Sequence, residues 1–410
     1  MSVTEPASVR PTAGVDWARD DHAVSVVGPD GRERQRFTVG HTDAGLAGLV
    51  RRLHAAGVTD VAIERPDGPV VDALLAGGLT VFVIPPGQLK QLRGRYGSAG
   101  NKDDRFDAYV LADTLRTDRH RLRALTPDSP ATVTLRMTVR ARKDLVATRV
   151  GLANQLRAHL QLAFPGAVGL FAELDSPISL AFLDRFPTQD KADWLSPKRL
   201  AGWLRSVGYC GRKDPGLLHG RLQAAPRGAT GADGETRAHV TRALLAAVRA
   251  VTEQITALEQ QIREQLALHP DAAVFTSLPR AGQIRAARLL TEIGDCRARF
   301  PTPASLACLA GAAPSTRQSG KLRVVTFRWA ADKHLRDAVT GFAGDSRRAN
   351  PWAAQLYDRH VRAGKTHQHA TRILARAWLH VIWRCWQDHV PYDPSRHPAL
   401  QEVIRHTDAA

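Results

Sequence analysis

Residues 14–39 read GVDWARDDHAVSVVGPDGRERQRFTV, and this stretch carries the clearest indication of fold in the chain. Short apolar runs rich in β-branched residues alternate there with turn residues such as ProAspGly. The pattern predicts strands that end near Asp16 and that cover Ala23–Val27 and about Arg34–Val39. The domain therefore begins with short strands joined by tight turns.

Helical and strand patterns continue to alternate beyond this stretch. Thr42 is a candidate N-cap for a helical pattern over Ala44–Ala56, and strands are predicted at Asp60–Glu64 and Thr80–Ile84. A basic helical stretch follows. The alternation predicts an α/β domain over about residues 10–125.

The remainder of the chain has mainly helical patterns. Ala131–Leu162 is helix-like, and a heptad pattern typical of a coiled coil follows it. The apolar residues of this heptad pattern are Leu244, Val248, Val251, Ile255, Leu258 and Ile262. The coil either packs on Ala131–Leu162 or pairs between subunits. We expect a helical, coiled-coil middle region with an irregular insert over 130–270 and a mainly helical domain over 275–400.

Several tryptophans are expected to be core residues. Trp194 and Trp203 are candidate anchors of the irregular insert, and a polar Gly/Ser loop is predicted over 311–321. A long C-terminal helix carries three further tryptophans among arginines, and we interpret these as core. They are Trp378, Trp383 and Trp386.

The charge balance indicates the class of partner. The 410 residues include 57 Lys and Arg against 40 Asp and Glu, a net charge of +17, which favours a nucleic-acid partner. The four cysteines form no CxxC pair, so neither a zinc ribbon nor a disulfide framework is indicated. No signal-peptide core and no apolar run of about 20 residues is present, so we expect a cytoplasmic protein without a membrane span.

Four acidic residues stand out by their positions. Asp16 and Glu64 end strands, and Asp104 and Asp107 are three residues apart at a helix start, so they share one helical face. Asp103 is the competitor of Asp104, and we choose Asp104 because it stands at i, i+3 to Asp107. Carboxylates that converge in this way need a cation, and oxygen ligands favour Mg²⁺ or Mn²⁺.

The order of these acids resembles a known family. GVDW at 14–17, VAIE at 61–64 and KDDRFDA at 102–108 resemble the motifs of the DEDD, RuvC-like insertion-sequence transposases, which are recombinases guided by a structured bridge RNA. The resemblance implies an α/β fold of the RNase H/RuvC type for the N-terminal domain. It also implies a metal-binding quartet formed by Asp16, Glu64, Asp104 and Asp107.

The second domain resembles the same family. LPRAGQIRAARLLTEIGD at 278–295 and GAAPSTRQSGK at 311–321 match its turn, helix and serine loop. The resemblance implies that Ser319 is the nucleophile that joins covalently to DNA, with Ser315 as the alternative. One departure is visible, because Pro279–Gly282 lacks the first glycine of the family's Pro-Gly-x-Gly turn, so a phosphate grip at this turn is not implied.

The resemblance also implies a mechanism and partners. Ser319 would form a 5′-phosphoserine link, assisted by the metal site, before strand exchange and religation. The implied partners are double-stranded donor and target DNA, a bridge RNA, and further copies of the chain in a dimer or tetramer. Cations near the acids and the serine are candidate nucleic-acid contacts. They are Lys90, Arg93, Arg95, Lys102, Arg317, Lys321 and Arg328.

Two other functions remain open from the sequence. The first is a metal-dependent nuclease or junction resolvase that uses only the acidic quartet and attacks with water. The second is a non-catalytic nucleic-acid-binding protein whose acids are structural. The order of the acids argues against the second, and the serine loop argues against the first.

Overall fold

The structure is a computed structural model that describes residues 10–97, 103–320 and 322–408. The chain divides into two compact units between Pro127 and Asp128. Within the described ranges, no helix has both the length and the apolar composition needed to cross a membrane.

The first unit is a mixed sheet with helices. Its strands are β1 (Thr12–Trp17), β2 (Asp21–Val27), β3 (Glu33–Gly40), β4 (Asp60–Ile63) and β5 (Thr80–Val83). Its helices are α1 (Asp43–Ala55), α2 (Pro69–Ala76), α3 (Pro86–Arg93) and α4 (Asp104–Asp118). The strand order is β3-β2-β1-β4-β5; β2 is antiparallel to both β1 and β3, and β4 is parallel to both β1 and β5. The α/β fold predicted for this part of the chain is confirmed.

The central strands of this sheet are apolar because both of their faces are covered. Val15, Val61 and Ile63 are fully buried, and α4 packs on β1. At the outer end of the sheet β3 is mostly polar and exposed, and of its residues only Val39 is buried. Thr42 caps α1 as predicted, since its side chain accepts a hydrogen bond from the Gly45 N–H.

The second unit is mainly helical. Its first helices are α5 (Pro130–Ala163), α6 (Pro177–Arg185), α7 (Gln189–Asp193), α8 (Pro197–Ser206), α9 (Pro215–Ala224) and α10 (Gly231–Ala267). They are followed by α11 (Ala272–Thr276), α12 (Gly282–Ile293), α13 (Pro303–Leu309), α14 (Lys333–Ser346), α15 (Pro351–Arg362), α16 (His367–Asp388) and α17 (Pro398–Asp408). A two-stranded sheet, β6 (Ser315–Ser319) and β7 (Leu322–Thr326), separates α13 from α14.

Many of these helices begin with the same local signal. A polar N-cap residue accepts a hydrogen bond from a backbone N–H of the first turn, and proline follows at the first helical position. The caps of this kind are Ser129, Ser176, Ser196, Asp214, Thr302 and Asn350. The helix starts in this unit are therefore determined locally.

The two longest helices, α5 and α10, pack against each other in antiparallel orientation within the chain. Arg142 of α5 forms an ion pair of 2.5 Å with Glu259 of α10. Further along α5, His159 Nε2 lies 3.0 Å from the Thr241 hydroxyl, nearer the start of α10. Of the six heptad residues of α10, Val248, Ile255 and Ile262 are buried within the chain, and the other three are half-buried.

The core of the second unit consists of two apolar clusters. One joins the ends of α5 and α10 to the C-terminal helices, and the other lies around the short helices between them. Trp378 and Trp386 are fully buried, and the Trp383 indole N–H donates to the Phe300 carbonyl at 2.8 Å, so the prediction that they are core residues is confirmed. Trp194 is 57% exposed, so its assignment as a core anchor was wrong.

The segment predicted as a polar loop contains a β-hairpin. Ser315 pairs with Thr326 and Ser319 with Leu322, so only Gly320 and residue 321 separate the strands. The Gly/Ser content indicates the turn, but the β-branched pair Val324–Val325 and Thr316 favour strands on either side of it. The division of this unit into regions 130–270 and 275–400 stays a prediction.

Candidate functional site

Asp16 and Glu64 lie next to each other because of the register of two parallel strands. Val15 of β1 pairs with Ile63 of β4, and each acid follows its strand partner directly. Both carboxyl groups therefore leave the same end of the sheet. Asp16 is 6% exposed, whereas Glu64 is half-buried.

The other two acids lie in the first turn of α4. Asp103 is the N-cap of this helix, and its side chain accepts a hydrogen bond from the Arg105 N–H. Asp104 and Asp107 follow on one face of the helix, with Asp104 exposed and Asp107 buried. Asp103 thus has a capping role, and the assignment of Asp104 to the acidic site stays a prediction.

Gly14 allows α4 to approach β1 closely. A Cβ atom at this position would lie 2.0 Å from the Ala108 carbonyl oxygen and 2.6 Å from the Ala112 nitrogen. No side chain larger than hydrogen fits in this space, so the glycine of GVDW brings the acidic turn of α4 towards Asp16. The Thr12 hydroxyl, which donates to the Ala112 carbonyl at 2.8 Å, holds the same contact.

Three of the four acids converge within ligand distance. One carboxylate oxygen from each of Asp16, Asp104 and Asp107 lies within 4.8 Å of the other two. Glu64 is outside this group of three, and it follows β4 directly, beside the end of β1 that carries Asp16. The structure therefore brings the four predicted acids to one end of the sheet.

The electrostatics of Asp16 reflect this crowding. Burial raises the pKa of Asp16 to about 7, and the negative charges of neighbouring carboxylates add to the effect. These neighbours are, in decreasing order of effect, Glu64, Asp107 and Asp104. A carboxyl group that is difficult to ionise among other carboxylates is a group that a bound cation would stabilise in its charged form.

The residues fit a divalent cation. All the donors are carboxylate oxygens, the ligands that Mg²⁺ and Mn²⁺ prefer. Oxygens bound to one Mg²⁺ at about 2.1 Å lie at most about 4.2 Å apart, so small side-chain rotations would suffice. In a search of the described residues for acidic, histidine and cysteine side chains close enough to share an ion, the group found is Asp16, Asp104 and Asp107.

Arg93 pairs with one of the four acids, Asp107, which the sequence did not indicate. It is the last residue of α3, and its guanidinium donates two hydrogen bonds of 2.5 Å to the two carboxylate oxygens of Asp107. Its side chain is 25% exposed, and that of Asp107 is 2% exposed. These two hydrogen bonds hold the Asp107 carboxylate in a fixed orientation, and the guanidinium charge neutralises that of the carboxylate.

The other predicted nucleic-acid contacts differ in their surroundings. Lys90 and Arg95 are exposed, and the Arg95 guanidinium lies 3.3 Å from the carboxylate of Asp118, at the other end of α4 from Asp104 and Asp107. Arg317 is exposed on β6, whereas Arg328 is half-buried and donates to the carbonyls of Ala313 and Pro314 at 3.4 and 3.3 Å. Lys102 and Lys321 lie outside the described residues. The role of these cations in binding stays a prediction.

Ser319 ends β6 at the tip of the hairpin. It is exposed, and Gly320 follows it with φ +54°, a left-handed conformation that glycine adopts without strain. Ser315, the alternative, is half-buried at the base of the hairpin, where its carbonyl accepts a hydrogen bond of 3.3 Å from Thr326. Of the two serines, Ser319 is the more accessible to a large substrate.

The altered turn before α12 keeps a glycine-like backbone. Arg280 has φ +57° and Gly282 has φ +56°, although only the second is a glycine. Arg280 therefore occupies the conformation that the first glycine of a Pro-Gly-x-Gly turn would adopt, at a cost of about 1–2 kcal/mol. Its guanidinium lies 3.3 Å from the Asp345 carboxylate.

Comparison with known proteins gives consistent results along the chain. One family model, described as a transposase, matches residues 13–165, and a second, described as a transposase of the IS116/IS110/IS902 family, matches residues 272–358. A protein named for the IS117 mini-circle of Streptomyces coelicolor is 31% identical over 394 residues, which cover 93% of this chain and 95% of that protein. The 42 kDa protein of insertion element IS900 from Mycobacterium paratuberculosis is also 31% identical, over 93% of this chain and 97% of its own length. The chain therefore belongs to the IS116/IS110/IS902 family of insertion-sequence transposases.

Proposed function

We propose that this transposase cuts and rejoins DNA with a divalent-cation site in a RuvC-like first unit and with Ser319 as the nucleophile. The observation that carries the proposal is the convergence of carboxylate oxygens from Asp16, Asp104 and Asp107 within 4.8 Å of one another. The strand order β3-β2-β1-β4-β5 supports the RuvC-like fold, since it sets the first acid on the central strand, beside the second.

A bound Mg²⁺ or Mn²⁺ would stabilise the charge that develops on a phosphodiester during cleavage. The chain's own residues have defined tasks in this scheme. Asp16, Asp104 and Asp107 hold the ion, and Glu64 completes the quartet from the neighbouring strand. Arg93 orients Asp107, so that one of the ligands is already fixed before the ion binds.

The serine step conserves the energy of the bond that it breaks. The Ser319 hydroxyl loses its proton and attacks phosphorus, the 3′-oxygen leaves and is protonated, and a 5′-phosphoserine ester forms. Attack by the 3′-hydroxyl of another strand reverses the chemistry and rejoins DNA, so no nucleotide hydrolysis is needed. The exposure of Ser319 at a hairpin tip supports this role, because the hydroxyl is open to a duplex.

The mechanism is tested by trapping the protein–DNA link. Wild-type protein purified together with its RNA from cells that carry the native flanking DNA is incubated with Mn²⁺ and a donor-end duplex and denatured during the reaction. It should yield a covalent adduct in which peptide mass spectrometry locates the phosphoester on Ser319. Ser319→Ala should abolish the adduct, and the matched variant Ser315→Ala should retain it. Asp104→Asn should abolish cleavage without unfolding the protein, since Asp104 is exposed.

A nuclease that attacks with water is the alternative. It would release free 5′-phosphate ends, and Ser319→Ala would cut as fast as the wild type. That outcome would remove the serine mechanism and leave the cation site in place. Loss of activity in Ser315→Ala alone would transfer the nucleophile to Ser315.

We further propose that a structured bridge RNA guides the reaction and that a dimer or tetramer performs it. The net charge of +17 supports a polyanionic partner beyond the cut DNA. Val133 and Met137, one turn apart on α5, are 40% and 68% exposed, which supports an intersubunit contact along this helix.

RNA guidance is tested by purifying the protein from cells that also carry its native flanking DNA and sequencing the RNA that copurifies. One structured RNA from the edge of the element supports guidance, and scattered host RNA contradicts it. Light scattering of the same preparation gives the assembly state, and a monomer at reaction concentrations would contradict the proposed assembly.

A further inference from the structure

The β6–β7 hairpin and the residues after it expose an unusual amount of apolar surface. Leu322 is 66% exposed, Val325 is 58% exposed and Trp329 is 83% exposed. An isolated two-stranded sheet is only marginally stable in water, and a tryptophan this exposed is uncommon. A partner that covers this surface would stabilise both features.

The Trp329 ring is held in a fixed orientation by its neighbour. The rings of Phe327 and Trp329 meet edge to face, with centroids 4.9 Å apart and planes at 85°. The Phe327 ring is itself held by two guanidinium groups, those of Arg336 and Arg372, each 4.8 Å from its centroid. The Trp329 indole therefore contacts the Phe327 ring on one side, while most of its surface stays exposed to solvent.

Arg336 and Arg372, which contact the Phe327 ring, are not paired with a carboxylate among the described residues. Nε of Arg336 is buried without a hydrogen-bond partner there, although Nη2 donates to the Arg328 carbonyl at 3.2 Å. Burial, together with the charge of Arg336, lowers the pKa of Arg372. An anion placed between these groups would relieve their repulsion.

The surrounding surface is also cationic. Arg317 and Arg323 on the hairpin are exposed and form no ion pair among the described residues. At the start of α16, burial and the charges of Arg372 and Lys365 lower the pKa of His369. The exposed apolar side chains thus lie in a positive field. Two copies of this surface would repel each other because both are positively charged. Exposed apolar side chains among cations instead fit a partner that carries flat apolar groups on a polyanionic backbone.

We infer that Phe327, Trp329, Arg336 and Arg372 form a docking surface for a single DNA strand, in which Trp329 stacks on an unpaired base. The arginines contact phosphates on either side of that base. DNA is the occupant because this family of proteins acts on DNA, and an unpaired base is required because a base in a duplex offers no open face to an indole. The inference deepens the proposed function, and it rests on that function in placing the bound strand beside the hairpin that carries Ser319.

Direct binding of the full chain tests the inference. A fluorescein-labelled 20-nucleotide single strand is titrated with protein at fixed salt, and anisotropy gives the affinity. Trp329→Ala should weaken single-strand binding about 5- to 100-fold, and Trp329→Phe should recover most of the loss. Binding to the matching duplex should change by less than about twofold in both variants.

Two variants serve as matched comparisons. Trp194→Ala removes another exposed tryptophan of the same unit, one over which the Arg199 guanidinium lies at 4.1 Å, and it should bind the single strand as the wild type does. Ser319→Ala should also bind normally, so failure of the serine mechanism is distinguishable from failure of this surface. Arg372→Gln should reduce the salt dependence of binding by about one released counterion.

Stacking has its own spectroscopic signature. A strand that carries 2-aminopurine at successive positions should show quenching at one or two of them with wild-type protein and none with Trp329→Ala. Unchanged single-strand affinity in Trp329→Ala, or an equal loss on duplex DNA, would overturn base stacking. Tight binding of single-stranded RNA with no binding of the DNA strand would overturn the assignment of DNA as the occupant.

Discussion

Gly14→Ala is the most informative perturbation of the first unit. The added Cβ would lie 2.0 Å from the Ala108 carbonyl oxygen, 2.6 Å from the Ala112 nitrogen and 2.8 Å from the Leu111 Cβ. Two of these contacts are with backbone atoms of α4, which cannot rotate away. The helix must therefore move outward by about 1 Å before the closest contact becomes tolerable.

Two magnitudes follow from this displacement. Inserting a methyl group into a close-packed contact costs about 1–3 kcal/mol, and three simultaneous short contacts indicate about 3 kcal/mol at this position. Metal–oxygen distances tolerate only about 0.2 Å, so a shift of about 1 Å in the turn that carries Asp104 and Asp107 should weaken cation binding by about 10- to 100-fold.

The assay combines urea unfolding with a Mn²⁺ titration followed by calorimetry. Gly48→Ala is the matched control, since Gly48 lies within helix α1 and its added Cβ would meet only the Arg51 guanidinium, at 3.8 Å. That variant should be stabilised by about 0.5–1 kcal/mol and should bind Mn²⁺ normally. If Gly14→Ala unfolds at the wild-type urea midpoint, the close approach of α4 to β1 is refuted. Loss of stability with normal Mn²⁺ affinity would refute its link to the cation site.

Three further predictions concern the charges and the core. Arg93→Ala leaves the buried Asp107 carboxylate unpaired and free to rotate, so the cation-free protein should lose about 2–3 kcal/mol of stability and its Mn²⁺ affinity should fall about tenfold, whereas Arg95→Ala should change neither by much. Equal Mn²⁺ affinity in both variants would contradict this role of Arg93. Because the pKa of Asp16 is raised to about 7, its carboxyl group is protonated below that pH and must ionise to bind a cation. Calorimetry in buffers of different ionisation enthalpy should therefore show that cation binding releases about one proton at pH 6. The cation affinity should fall about tenfold for each unit by which the pH decreases below 7. Cation binding that is independent of pH from 5 to 7 would be inconsistent with the raised pKa. Trp378→Ala should lower the free energy of unfolding of the second unit by about 3–5 kcal/mol, measured by urea unfolding. The substitution leaves a large cavity and removes the indole N–H that donates a hydrogen bond to the Ser346 hydroxyl. A loss below about 1 kcal/mol would show that this core repacks freely.

The proposed docking surface and the cation site make different demands on the chain. The acids lie on a sheet end and a helix turn held by backbone packing around Gly14, which suits ligands that must keep sub-ångström geometry. The hairpin with Ser319 and the segment around Trp329 are exposed, which suits contact with a large and deformable substrate.

Much of this protein was readable from the sequence because the decisive interactions are local. The strand and helix alternation of residues 10–125 follows from side-chain periodicity and turn residues over a few positions. The shared face of Asp104 and Asp107 follows from helix geometry alone, and the serine–proline caps determine helix starts in the second unit.

Other features depended on which distant segments meet, and no local pattern contains that information. The parallel register of β1 and β4 decides that Asp16 lies beside Glu64, and the packing of α3 on α4 decides that Arg93 pairs with Asp107 and not only with solvent or nucleic acid. The sequence likewise indicated a polar Gly/Ser loop around Ser319, where strand pairing across residues 315–326 produces a hairpin. Pairing between strands and contacts between helices are chosen by the total burial and hydrogen bonding of the folded chain, so only the tertiary structure decided these positions.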